Sequence, residues 1–384
     1  MKAKFLVILA IFVMSSTQMI SQWSIMRSDA DSLVRLGTGY IYNVEFAKAE
    51  DCFQQVKDIY PEHPAGYFLD AMVEWWRITL DRSTNRHDAN FERKISQVIE
   101  MCDKLLKDNP SNLNGLFFKA GAIGFRGRYY AQKEEWVKAA RDGSTAYNLL
   151  IESYKIAPQN HDIMLGTGIY NYFAVAVPEK YPLLKPLLAF LPRGDKLLAL
   201  HQLRAAARNA RYADIEAKTV LLQIYYSFER DNDFAHAMAQ ELFEAYPQNA
   251  YFHRYLGRVI VRKGLTDEYE KIWREILLKC MDKKFGYDNL TAREAMYYVG
   301  LALLKKGRYD QALRYFLKSD EGNVVLDKES SGFQVNSNIY IGNIYDMTGK
   351  RDVALQYYRK VLAMKEYEDS HRKAQNFIDK GYGK

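Results

Sequence analysis

The sequence predicts an all-α fold: a right-handed superhelical solenoid of about eight helix hairpins, with inserts. Three observations carry that prediction. A small Gly is followed twelve residues later by a small Ala at Gly37 and Ala49, Gly300 and Ala312, and Gly342 and Ala354. Large apolar residues stand at fixed offsets around them: Leu36, Tyr40 and Phe53, then Leu303 and Phe316, then Tyr345 and Tyr358. A Pro lies twelve residues beyond the Ala in Ala49 to Pro61, Ala146 to Pro158 and Ala235 to Pro247. Small residues let two helices approach closely, the bulky ones fill the groove between them, and Pro cannot continue the hydrogen-bond ladder. One hairpin cannot bury its own apolar face, so copies must stack.

The first of these stretches reads Leu33-x2-Leu36-Gly37-x2-Tyr40, then Ala49-x3-Phe53, then Pro61. It resembles the tetratricopeptide repeat, a hairpin of roughly 34 residues, with Leu33 in place of the leading Trp. The whole chain resembles an exported bacterial type of that family. This implies a scaffold with a concave inner wall that receives another protein or an extended peptide.

In chain order, Lys2 and Lys4 followed by the apolar run Phe5 to Met14 resemble a secretory signal over 1–21, with cleavage before Gln22. The solenoid is expected over 28–384. Its second unit pairs helices at Ala65–Leu80 and Phe91–Lys107 across a polar spacer, Asp81 to Asn90. The third runs from Leu113 to Pro158, with an extra charged segment from Gln132 to Asp142 between its helices. Gly121, Gly124 and Gly127 point to close helix contact there, since no strand precedes them and no Gly-Lys-Ser/Thr follows. The fourth begins at Leu165-Gly166 and carries an insert over 174–195 in which Pro178, Pro182, Pro186 and Pro192 prevent a long regular helix. An apolar segment of this kind should not sit bare in water. It reads either as a plug over the repeat core or as a contact for a partner, a membrane surface or an envelope complex. From Leu165 to about Tyr226 the chain is also similar to the middle of a eukaryotic family of tetratricopeptide proteins with a mitochondrial outer-membrane member. The shared features are a Gly-rich helix, a Pro/Leu-rich insert and Gly194-Asp195 before a helix. The fifth unit spans Asp214 to Pro247 and the sixth starts at Leu256-Gly257. The seventh and eighth start near Ala292 and Ser337, joined by a polar loop from Asp320 to Gly332, and a capping helix follows at about 371–380.

With 54 basic and 47 acidic residues interspersed, the net charge of +7 describes a solvated helical surface rather than a nucleic-acid footprint. Cys52, Cys102 and Cys280 are far apart and odd in number, which reads as thiols, with Cys102 in the core. The sequence holds no zinc spacing, catalytic motif or cofactor fingerprint, so neither enzyme activity, metal nor cofactor is expected. Arg254, Arg258 and Arg262 step by four along one helix face. Counted from Leu256-Gly257 they occupy inner-wall positions, where guanidinium groups would orient carboxylates. Tyr170, Asn171 and Phe228, with Thr167 and Ile224, would line the same wall. Together these predict an aromatic and basic groove for a protein or extended chain, in a protein addressed to the periplasm or cell envelope. The alternative is a periplasmic ligand-binding or delivery protein in which 174–195 lids a pocket.

Overall fold

A computed structural model describes residues 28–189 and 191–383. The expected signal segment, 1–21, lies outside the described residues. The described elements are helical: α1 (Ser28–Tyr42), α2 (Phe46–Ile59), α3 (Pro64–Leu80), α4 (Asp88–Asp108), α5 (Leu113–Gln132), α6 (Trp136–Ile156), α7 (His161–Lys180), α8 (Lys185–Leu188), α9 (Lys196–Asn209), α10 (Asp214–Ile224), α11 (Asn232–Ala245), α12 (Ala250–Lys263), α13 (Thr266–Met281), α14 (Asn289–Lys305), α15 (Tyr309–Leu326), α16 (Gly332–Met347), α17 (Arg351–Leu362) and α18 (Ser370–Lys380). A 3-10 turn, Pro182–Leu184, precedes α8, and a π turn, Tyr225–Glu229, ends α10. Hairpins form from α1 and α2, α5 and α6, α7 and α9, α10 and α11, α12 and α13, α14 and α15, and α16 and α17, and α18 packs on α17; α3 meets α4 where the Trp75 ring lies 5.9 Å from Phe91. The chain forms two compact units. Unit one comprises the described residues up to Ile78 with Arg86–Tyr246, and unit two comprises Thr79–Asn85 with Pro247 onward.

Three of the connections between hairpins follow one local design. In Asn109-Pro110, Ala157-Pro158 and Tyr246-Pro247 the residue before Pro leaves the helical region, with φ −143°, −131° and −134°. Two residues after each Pro stands an Asn (Asn112, Asn160, Asn249) whose side chain accepts a backbone N–H of the next helix. Pro stops one helix and Asn starts the next.

Inside the hairpins the small residues do what the spacing requires. A Cβ on Gly37 would lie 2.5 Å from the Phe53 ring, and one on Gly342 would lie 2.5 Å from Tyr358. On Gly257 it would meet Trp273 at 2.8 Å, and on Gly300 it would meet Phe316 at 3.1 Å. Ala49, Ala312 and Ala354 are fully buried, as are Phe53, Phe316 and Tyr358. Gly121 faces Phe68 and Gly127 faces Asp142, so that triplet is also a packing feature. Replacing Gly342 by Leu is therefore expected to cost about 1–3 kcal/mol by overpacking against Tyr358, read as a lower urea midpoint. Leu36 is a correction: it is 50 % exposed, whereas Val34 and Ile41 of the same helix are buried.

Three segments expected as loops or inserts are partly helix. The charged stretch 132–142 contains only a short turn, and α6 starts at Trp136. Asp142 is buried because Arg126 grips it through two hydrogen bonds. The loop expected from Asp320 to Gly332 shrinks to 327–331, because α15 continues to Leu326. Asp320 is held inside by the Asn338 amide and Lys360, each at 2.6 Å. Helix α7 runs on through Pro178 to Lys180, so the irregular insert is confined to 181–195. A Pro in the last turn of a helix forfeits one ladder bond and leaves the rest intact.

Unit one closes on itself. Asp31 of α1 accepts from Arg211 Nε and from the Tyr212 hydroxyl, both at 2.7 Å, in the linker between α9 and α10. Tyr42, at the end of α1, lies 5.4 Å from Tyr246, just after α11. The first hairpin thus touches the fifth. Between them the inward faces are filled. Arg128 of α5 lies 4.9 Å over Trp75 and bonds Glu216 of α10 at 2.6 Å, and Trp76 packs edge-on against Tyr42 at 5.1 Å.

Candidate partner-binding residues and comparisons

The six side chains singled out in the sequence fall in both units, and each set has its own setting. In unit one, Tyr170 and Asn171 sit on α7 with little exposure. The Tyr170 ring stacks on Tyr147 at 4.0 Å, and its hydroxyl donates to the Pro192 carbonyl at 2.9 Å. Burial pushes the Tyr170 phenol up to about 12, so it remains a donor at neutral pH. Asn171 Nδ2 donates to Gln202 Oε1 at 3.1 Å. A Cβ at position 194 would collide with the Asn171 backbone carbonyl oxygen, which explains the Gly in Gly194-Asp195. Thr167 is buried as well. These residues are not the open wall that their spacing implies. They tie the end of the insert, 192–194, to α7. Phe228 is half-buried in the π turn, with Tyr172 at 5.8 Å and Phe173 at 5.4 Å, and the Lys180 ammonium lies 4.6 Å over its ring.

In unit two the three arginines separate by depth, which corrects the expectation of one accessible stripe. Arg254 is 2 % exposed and donates through Nη1 to the Gly286 carbonyl at 2.7 Å and to Thr291 Oγ1 at 3.3 Å. Arg258 grips Glu294 of α14 with two bonds, at 2.5 and 2.6 Å. Arg262 is exposed. Nearby, Arg82 bonds Asp288 at 3.0 Å and Thr291 at 2.8 Å. Arg82, Arg254 and Arg258 therefore gather around two carboxylates, Asp288 and Glu294. Burial, then the neighbouring Arg82 and Arg258, push Arg254 down to about 9, which still leaves it charged at neutral pH. Although burial alone would raise them, Arg258 holds Glu294, and Arg82 holds Asp288, below the usual carboxylate range. Beside this network His253 packs on Tyr287, with Nδ1 3.1 Å from the phenol oxygen. Burial, with Lys279 and Arg254 nearby, lowers His253 to about 3.

Residues 294–318 match the family model of the tetratricopeptide repeat. That match covers most of α14 and α15, the hairpin of Gly300 and Ala312. In sequence, this hairpin is similar to a tetratricopeptide repeat. No curated protein matches the chain in sequence. Among solved structures, the human IFIT1 dimer with PPP-AAAA is similar at 16 % identity, covering 83 % of this chain and 68 % of that one, with a TM-score of 0.36. The human IFIT1 dimer with m7Gppp-AAAA has 17 % identity, 83 % and 67 % coverage and a TM-score of 0.40. The tetratricopeptide domain of P58(IPK) has 14 % identity, 92 % and 89 % coverage and a TM-score of 0.28.

Among the described residues no group of three or more His, Cys, Asp or Glu could hold a metal ion, and no helix is long and apolar enough to cross a membrane. Cys52, Cys102 and Cys280 are free thiols, and burial pushes Cys102 up to about 12. A cleft of about 590 Å³ opens in unit one among α2, α3 and α4, lined by Lys57, Tyr67, Asp70, Arg93 and Lys94 among others. It lies on hairpins other than the one that carries the 181–195 insert.

Proposed function

We propose that the protein is a non-enzymatic scaffold, exported to the periplasm or cell envelope, that binds another protein or an extended chain. The observation that supports this reading is the stack of repeat hairpins with a tetratricopeptide match at 294–318. Such stacks offer a large surface to which each unit adds a few side chains. The inner face of unit one is occupied by its own Trp75, Arg128 and Glu216. A partner is therefore assigned to exposed helix faces, with Arg262 as the accessible member of the arginine series. The proposed address rests on Lys2, Lys4 and the run Phe5 to Met14.

The test is photo-crosslinking in cells from a reactive residue at position 262, with position 325 as reference. A discrete adduct from 262 that is absent from 325 is expected. In a separate pull-down, Arg262→Glu is expected to reduce recovery of that partner about tenfold, as loss and reversal of an orienting charge would. Identical adduct patterns at both positions would overturn the reading. Sequencing the N-terminus of the exported protein checks the address, with Gln22 expected first.

A further inference from the structure

The insert carries an apolar tip with two exposed basic residues, Lys185 and Arg193, beside it in the chain. Leu183 is 96 % exposed and Leu197 is 81 % exposed, with Tyr181 and Leu198 also open to solvent. They share one end of the fourth hairpin, because Lys196 at the start of α9 pairs with Glu179 at the end of α7. The Trp136 ring lies 6.4 Å from Tyr181, which brings exposed Val137 of α6 to the same end. Pro182 and Pro186 are exposed as well. The chain from 179 to 196 holds Lys180, Lys185, Arg193 and Lys196 against Glu179 and Asp195; Lys196 pairs with Glu179, and Lys180 bonds the Ser227 carbonyl and lies over the Phe228 ring. Lys185 and Arg193 are exposed and make no ion pair among the described residues.

We propose that this end of unit one docks on an anionic lipid surface, with Leu183 and Leu197 entering the headgroup layer and the basic residues meeting the lipid phosphates. Leucines that protrude singly at a hairpin end, beside a Tyr and exposed basic residues, suit an interface that is apolar inside and negatively charged outside. Pro182, Pro186 and Pro192 suit it further. They carry no N–H, so fewer backbone donors must leave water as the turn enters. This inference stands apart from the scaffold reading: the partner surface tested at Arg262 is in unit two.

The experiment is co-sedimentation of the purified chain with vesicles of phosphatidylcholine, and of phosphatidylcholine mixed with phosphatidylglycerol. Binding is expected only with the anionic mixture and should weaken with salt. The double variant L183D/L197D is expected to lower partitioning at least about tenfold, and K185A or R193A about fivefold each. All four residues are exposed, so helical content should be unchanged, and V325D on α15 is the control that keeps parent binding. The variant L183W reports the tip directly. The emission it adds to that of the parent is expected to shift to the blue on adding anionic vesicles. An L183D/L197D chain that binds like the parent, or an L183W emission that does not move, would overturn the proposal. So would self-association of the parent that L183D/L197D abolishes without any vesicle binding, since the tip would then join two copies of the chain.

Discussion

Replacing Glu294 by Ala is expected to destabilise unit two by about 3–5 kcal/mol, the usual cost of breaking a buried ion pair from one side. Glu294 is 2 % exposed and takes both bonds of the Arg258 fork. Without it, Arg82, Arg254 and Arg258 would face Asp288 alone. The cost comes from charge left unmatched in a buried setting, more than from the volume removed. The check is urea unfolding of the single variant beside R258M/E294L, which removes both partners and should recover much of the loss. If the double variant is as unstable as the single one, packing around Glu294 rather than charge carries the effect.

Acidification is expected to weaken the same unit by roughly 3 kcal/mol between pH 7 and pH 4, largely through one histidine. His253 is lowered from 6.5 to about 3, chiefly by burial. Its folded form stays neutral while the unfolded chain takes up a proton below pH 6.5, so the unfolded state binds more protons. Stability therefore falls as pH drops through 6.5, and goes on falling until the folded His253 also titrates near 3. Glu294 and Asp288, both lowered in the folded state, add losses of the same sign at lower pH, as each is protonated through its folded value. The charged groups nearest the ring, Lys279 and Arg254, stay positive throughout this range and oppose protonation. His253→Gln is expected to flatten the stability profile above about pH 5 while leaving the acid limb of the carboxylates. The measurement is the urea midpoint against pH for parent and variant.

The hairpins are legible in the sequence because their signal is local. Gly37 and Phe53, or Gly342 and Tyr358, meet within one hairpin, so their spacing encodes the contact. The candidate site is less legible because its contacts are not local. A step of four correctly places Arg254, Arg258 and Arg262 along one helix, but their depth depends on α14, where Glu294 stands 36 residues beyond Arg258. Nothing close to Arg258 in the chain announces that acid. Tyr170 and Asn171 look like a wall for the same reason, since their partners, Pro192 at the end of the insert and Gln202 beyond it, stand 22 and 31 residues further along the chain. Buried Asp142 and Asp320 look like loop residues until Arg126 and Lys360 are seen to neutralise them. Composition signals the apolar tip at Leu183, but not its openness.

The contact of Asp31 with Arg211 and Tyr212 has a consequence for how unit one comes apart. A row of repeats with two loose ends can peel from either end, one module at a time, and its melting broadens accordingly. Joining the first module to the fifth removes both starting points. Unit one should then melt as a single sharp event, and cutting the latch with Asp31→Ala should broaden that event more than it lowers its midpoint.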